Sequence, residues 1–149
     1  MIRRVIVDAS VGCKWFFEEN LQEKAHALLR AMWKRKILLT VPEFFYLEFA
    51  NICWKRVRRG LIHSEIAVQT LDRALKLPLD RYRDRELAPA ALQNAALFDI
   101  SVYDGLYLSL SQFYTAPLVT ADEKLVEACR RRNFEFVEPL STLDLPGLF

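Results

Sequence analysis

The chain has 149 residues, a length that fits one domain whose core needs neither disulfides nor a structural metal. Its residues are 52% hydrophobic and 27% charged, with 4 glycines and no low-complexity tract, which excludes a disordered or linker-rich protein. The formal net charge of +2 excludes a histone-like basic arm and leaves room for local basic patches. Cys13, Cys53 and Cys129 lie far apart and form no C-x-x-C pair. Buried, reduced thiols of a cytoplasmic protein are therefore expected, not a disulfide framework or a zinc site. Only Val5, Ile6 and Val7 are apolar in a row before Asp8, so the first residues read as neither a signal peptide nor a membrane span.

Arg3–Val7 reads as a short buried strand of β-branched residues, ended by Asp8. A helix-prone stretch follows over residues 10–18, and Asn20 is placed as the N-cap of a second helix reaching residue 36. Residues 37–41 form another apolar strand. Pro42 falls where a first helical turn tolerates proline, and the helix it opens runs to residue 59, where Gly60 stops it. Ser64 caps a helix over 64–76, with Glu65 close behind. Residues 77–82 read as a strand that Pro78 places at a sheet edge. Pro89 opens a helix over 89–98, and Ser101 another over 101–114. A strand over 117–120, a helix over 121–132 and a strand over 134–137 follow, and the tail 138–149 reads as irregular. The uncharged run 105–121 suits a buried helix and strand better than a bilayer span. Short apolar strands alternating with helices imply an α/β/α sandwich around a mostly parallel sheet, a single domain over 1–149.

In such folds ligands gather at the carboxyl ends of strands. Asp8 directly follows the first strand, Asp122 comes just after the strand over 117–120, and Asp104 lies near the start of the helix opened by Ser101. Glu48 sits in the otherwise apolar helix PEFFYLEFANICW, where a charge is costly to bury without a partner. On a wheel of about 100° per residue, Glu48, Asn51, Lys55, Arg58 and Arg59 form one polar stripe, acidic first and then basic. That order suits a metal-binding end followed by phosphate-binding side chains. Clustered carboxylates repel one another, and a hard cation such as Mg²⁺ or Mn²⁺ resolves the repulsion with oxygen ligands. Such a site can activate water against a phosphodiester.

Plainer structural roles compete with this reading. Asp8 can cap the helix after it, and Ser101 to Asp104 has a capping-box spacing, with Asp in place of the usual Glu or Gln. Thr120 to Glu123 is a better capping box, which makes Glu123 structural, while Asp122 gains from the helix dipole. Glu48 can pair with Lys55 or Arg59. The basic runs at Lys34-Arg35-Lys36, Lys55–Arg59 and Arg130-Arg131-Arg132 suit either an RNA backbone or solvated helix ends. Trp15, Phe16 and Phe17 suit core or a partner surface better than base stacking.

The segments VDASVGCKWFFEE, YLEFANICWKRVRRG, LFDISVYDGLYLSLSQ and APLVTADEKLVEA resemble the PIN domain, specifically the VapC-type toxins of toxin–antitoxin pairs. The resemblance spans nearly the whole chain, with four motifs in order. It implies a metal-dependent endoribonuclease in which Asp8, Glu48, Asp104 and Asp122 hold Mg²⁺ or Mn²⁺. It implies that Ser10 and Thr120 line the site with hydroxyls and that Asn51 is a polar neighbour one turn after the glutamate. Lys55, Arg58 and Arg59 are then set to grip flanking phosphates. The resemblance further implies an RNA substrate, a homodimer, a cognate antitoxin that docks in an apolar groove, and operator DNA bound only through that antitoxin. The aromatic stretches 15–17 and 44–46 are candidates for the groove. Gly105 departs from the alanine the family often carries, at a cost of at most roughly 1 kcal/mol near a helix start. A haloacid-dehalogenase phosphatase would want a second Asp where Ser10 stands, and a response-regulator receiver would want an acidic pair at the first strand. A metal- and RNA-binding module that does not cut is the alternative of another class.

Overall fold

The computed structural model describes residues 2–148. Five short strands form one sheet: β1 (Arg3–Val7), β2 (Ile37–Pro42), β3 (Asp80–Tyr82), β4 (Leu118–Thr120) and β5 (Val137–Pro139). Every pairing is parallel, in the order β3-β2-β1-β4-β5. The chain builds outward from β1 on one side, then returns to add β4 and β5 on the other. The direction of winding therefore reverses between β1 and β4, and a crevice opens beyond their carboxyl ends.

The pleat sorts β1 between two cores. Val5 and Val7 face one, Ile6 the other, and all three are fully buried. The first core receives α1 (Ala9–Gly12), α2 (Gln22–Trp33), α3 (Phe44–Arg58) and α4 (Ser64–Leu75) through residues such as Leu28, Phe45, Phe49 and Ala74. The second receives α5 (Asp84–Phe98), α6 (Val102–Tyr114) and α7 (Glu123–Arg131) through Leu87, Tyr107, Leu110 and Leu125. The expected three-layer α/β/α sandwich is the fold, with a sheet that is parallel throughout.

Several local expectations give way to tertiary demands. The helix expected over 10–18 is only α1 and a 3₁₀ turn at Cys13–Trp15, because Trp15 and Phe17 turn inward and bury. Gly12 permits this: a Cβ there would stand 2.6 Å from the ring of Phe45. Asn20 does not cap α2; Leu21, at φ 64°, holds that position. His63 precedes α4, and Ser64 is its first helical residue. Pro42 closes β2 and does not open α3, whose first amide is capped by Asp84 Oδ1 at 3.0 Å. Pro89 lies inside α5, which begins five residues earlier with Asp84 and Glu86 in its first turn. Gly60 does end α3, at φ 72°. Trp15, Phe17, Phe45 and Tyr46 are core residues, so the stretches 15–17 and 44–46 do not form an exposed groove. The tail after β5 makes two 3₁₀ turns whose Leu140, Leu143 and Leu148 complete the first core.

Gly105 has a use that its sequence position hides. A Cβ there would lie 2.3 Å from the carbonyl oxygen of Ala91, so α5 and α6 approach through a space only glycine leaves open. Beside it Ser109 Oγ donates to the Gly105 carbonyl at 2.7 Å, and Asn94 Nδ2 donates to Ser109 Oγ at 2.9 Å. The three cysteines are free and buried. Among the described residues no helix is long and apolar enough to cross a membrane.

Candidate active site

The crevice at the carboxyl ends of β1 and β4 is a cavity of about 460 Å³, and Asp8, Glu48, Asp104 and Asp122 all line it. They come from four separate elements. Asp8 ends β1 and caps α1, accepting from the Val11 amide at 3.3 Å. Asp122 follows β4 and caps α7, its Oδ1 accepting from the amides of Lys124 and Leu125 at 3.0 and 3.2 Å. Asp104 stands in the first turn of α6, where its amide bonds the Ser101 hydroxyl at 3.0 Å. Glu48 projects from the second turn of α3. Capping and cavity lining thus coexist in the same side chains.

Asp8 is the most constrained of the four. Ser10 Oγ donates to its Oδ1 at 2.5 Å and Thr120 Oγ1 to its Oδ2 at 2.5 Å. Each hydroxyl also accepts an amide, Ala121 N on Ser10 at 2.9 Å and Asp122 N on Thr120 at 3.0 Å. Thr120 is therefore spent on Asp8 and does not start the expected capping box with Glu123; Asp122 caps α7 instead. Glu48 pairs with neither Lys55 nor Arg59. Its Oε1 accepts from the Tyr107 hydroxyl at 2.9 Å and from the Ala9 amide at 3.2 Å. Tyr107 was not singled out by the sequence, although it lies one helical turn after Asp104 and so shares its face.

The electrostatics record the crowding. Burial pushes Asp8 up to about 7, with the Glu48 charge adding to it, against the pull of the Ser10 and Thr120 hydrogen bonds. Burial also raises Glu48, as do the charges of Asp104 and Asp122, although Tyr107 and the Ala9 amide oppose them. Asp104 is raised by burial and by Asp122. The Tyr107 phenol lies well above its ordinary range, through burial and the carboxylates around it. A single cation, Lys55, shares the cavity with four acids. The donors are all hard oxygens, which fits Mg²⁺ or Mn²⁺ and not a soft metal. Among the described residues no three acidic, histidine or cysteine side chains close tightly enough to cage an ion alone.

Ser10, Asn51 and Lys55 line the same cavity, while Thr120 lies fully buried beneath it. Arg58 and Arg59 do not reach the carboxylates; with Lys55 they line a separate recess farther along α3. The Lys34-Arg35-Lys36 run precedes β2, at the opposite end of the sheet. Phe44 and Tyr103 stack at 4.7 Å on the cavity wall, a pair that sequence spacing did not reveal.

A parallel three-layer fold with an acidic cavity at its winding reversal defines the class of α/β protein. The PIN domain matches residues 5–131, most of that fold. Ribonuclease VapC3 of Pyrobaculum aerophilum is 30% identical over 130 residues, covering 83% of this chain and 93% of its own. The chain belongs to the PIN-domain family, VapC type. Among solved structures, PAE2754 from Pyrobaculum aerophilum superposes with a TM-score of 0.72 at 23% identity, covering 99% of this chain and 98% of its own. VapBC2 from Rickettsia felis, bound to a DNA fragment from its promoter, gives a TM-score of 0.63 at 15% identity, covering 91% and 98%.

Proposed function

We propose that the chain is a metal-dependent endoribonuclease, the toxin of a toxin–antitoxin pair. The observation that carries the reading is the convergence of Asp8, Glu48, Asp104 and Asp122, from four elements, on one cavity at the winding reversal of the sheet. Its VapC relative bears the name ribonuclease, and its fold neighbour VapBC2 was solved on promoter DNA. In this reading the four carboxylates hold Mg²⁺, or Mn²⁺, directly or through water. When bound, such a cation supplies an activated water and neutralises charge developing on a phosphodiester.

The protein's part is to hold the oxygens in place. Ser10 and Thr120 fix both oxygens of Asp8, so its carboxylate cannot rotate away from the cavity. Tyr107 and the Ala9 amide fix Glu48 through Oε1, on a side chain that lines the same cavity. Neighbours that orient ligating groups in this way are worth about 10–100-fold in metal affinity or activity. Asn51 offers a polar contact beside the carboxylates, and Lys55, Arg58 and Arg59 lead the RNA backbone away along α3. Hydrolysis by in-line attack leaves 5′-phosphate and 3′-hydroxyl ends. The partners that go with this reading are RNA, a cognate antitoxin, a second copy of the chain, and operator DNA through the antitoxin, all in the cytoplasm.

The test is cleavage of total RNA by the purified, antitoxin-free chain with Mg²⁺, with Mn²⁺ and with EDTA, beside Asp104→Asn. Discrete fragments that need metal and vanish in the variant are expected. A folded protein that binds RNA and metal but cuts in no lane would instead be a binding module.

A further inference from the structure

Beside the acidic cavity lies a second one, of about 450 Å³, whose lining carries the opposite sign. The two adjoin, sharing Ser10, Ile52 and Lys55. In the first, four carboxylates face one cation; in the second, Lys14, Lys55, Arg56 and Arg59 face one carboxylate, Glu19. Lys14 is only 8% exposed, an unusual place for a lysine. Its Nζ lies 3.1 Å from Glu19 Oε1, and Arg56 Nη2 lies 2.7 Å from Glu19 Oε2. The Arg56 guanidinium also rests 4.2 Å above the Phe17 ring. These contacts make a rigid floor. Lys55 and Arg59 have no ionic partner among the described residues. One carboxylate cannot neutralise four cations, so the cavity keeps an excess of positive charge.

A partly buried excess of either sign is costly until a counter-charge arrives. Two adjoining excesses of opposite sign select a ligand with repeating anionic groups, one of which shares its place with a metal cation. A nucleic-acid strand has that pattern, whereas an acidic peptide has no reason to enter the carboxylate end. We propose that the second cavity binds the phosphate neighbouring the scissile one, with Lys14 and Arg56 as its fixed floor and Lys55 and Arg59 closing over it. The proposal rests on the nuclease reading above, and Glu19 acts in it as a positioning residue for the floor.

The experiment measures binding of a short fluorescein-labelled single-stranded oligonucleotide to the purified chain in EDTA. Each phosphate in turn is replaced by a neutral methylphosphonate, and the cleaved bond is mapped separately with metal. Each lost phosphate contact lowers the salt slope by about 0.7 for a single strand, which at about 0.1 M salt is roughly a fivefold loss of affinity. That loss is expected in the wild type at one phosphate next to the cleaved bond. Lys14→Met and Arg59→Ala should bind more weakly from the start and lose little more on that substitution. Arg59 is exposed, so its variant carries the test even where Lys14→Met fails to fold. Equal losses in wild type and variants at every phosphate would overturn the proposal. So would competition by an oligoglutamate peptide without any methylphosphonate effect, which would assign the cavity to an acidic protein partner. Absence of metal-dependent cleavage would sink the nuclease reading and, with no cleaved bond, the assignment to its neighbouring phosphate; a single phosphate whose loss is felt in the wild type and not in the variants would then leave the second cavity as a phosphate site alone.

Discussion

Arg4, Thr40 and Asp80 meet on one half of the sheet; Asp8, Ser10 and Thr120 meet at its middle. Both clusters join parallel strands through an aspartate and a threonine hydroxyl. In the first, Arg4 donates to Thr40 Oγ1 at 2.7 Å and pairs with Asp80, while its guanidinium lies 3.7 Å over the Tyr114 ring. Donors and charges balance, and the cluster is complete. In the second, both oxygens of Asp8 are hydrogen-bonded, yet no cation answers its charge, and three more carboxylates share the cavity. The difference teaches how to tell a structural polar cluster from one awaiting a ligand. Hydrogen bonds are satisfied in both, and only the charge account separates them.

Substitutions on the two sides should therefore diverge. The largest effect is expected from Asp8→Asn, which should abolish metal-dependent cleavage while leaving the melting temperature unchanged or raised. Retained cleavage would break the comparison.

The next effect concerns pH. Folded Asp8 stays protonated up to about 7, against an ordinary value of 3.8, so the folded state binds more protons than the unfolded one between those values. Metal-free stability should then fall as pH rises from about 4 to 7, by up to about 4 kcal/mol. Denaturant melts at several pH values, with and without Mg²⁺, would read this. Added cation, or Asp8→Asn, should flatten the slope.

Gly105→Ala should cost about 1–3 kcal/mol by forcing α5 from α6, and should also lower activity because Asp104 rides on the displaced turn. Thermal melts paired with cleavage rates separate the two losses. Tyr107→Phe should weaken Mn²⁺ binding about 10–100-fold, with little change in the melting temperature. Smallest is Asp80→Asn, expected to cost on the order of 1 kcal/mol in a denaturant melt and to leave cleavage at the wild-type rate.

What the sequence revealed follows the range of the forces involved. The strand Arg3–Val7, the Ser101 cap and the Gly60 stop depend on neighbours a few residues away, and each stands where periodicity and capping chemistry put it. The four carboxylates were found because strand ends are a topological address and the motifs arrive in order. Thr120 looked like a cap because its long-range partner, Asp8, is invisible locally. Asn20 and Ser64 failed for a similar reason, since helix entry there is set by how the preceding chain packs. Gly105 looked like a minor departure because its cause, the Ala91 carbonyl, belongs to another helix. The Glu19 bridge between Lys14 and Arg56 joins α3 to the turn after α1, and no spacing rule reaches that far.

The hydroxyl that orders Asp8 lies 112 residues beyond it. Asp8 follows the first strand of the sheet and Thr120 belongs to the fourth, with β2, β3 and the helices α1 to α6 between them. Until β4 pairs with β1, Asp8 lacks Thr120 and the cavity lacks Asp122. A chain in which β4 has not yet paired therefore carries no assembled carboxylate cluster. For a protein that would cut the RNA around it, this topology ties the working site to the closing of the sheet's centre.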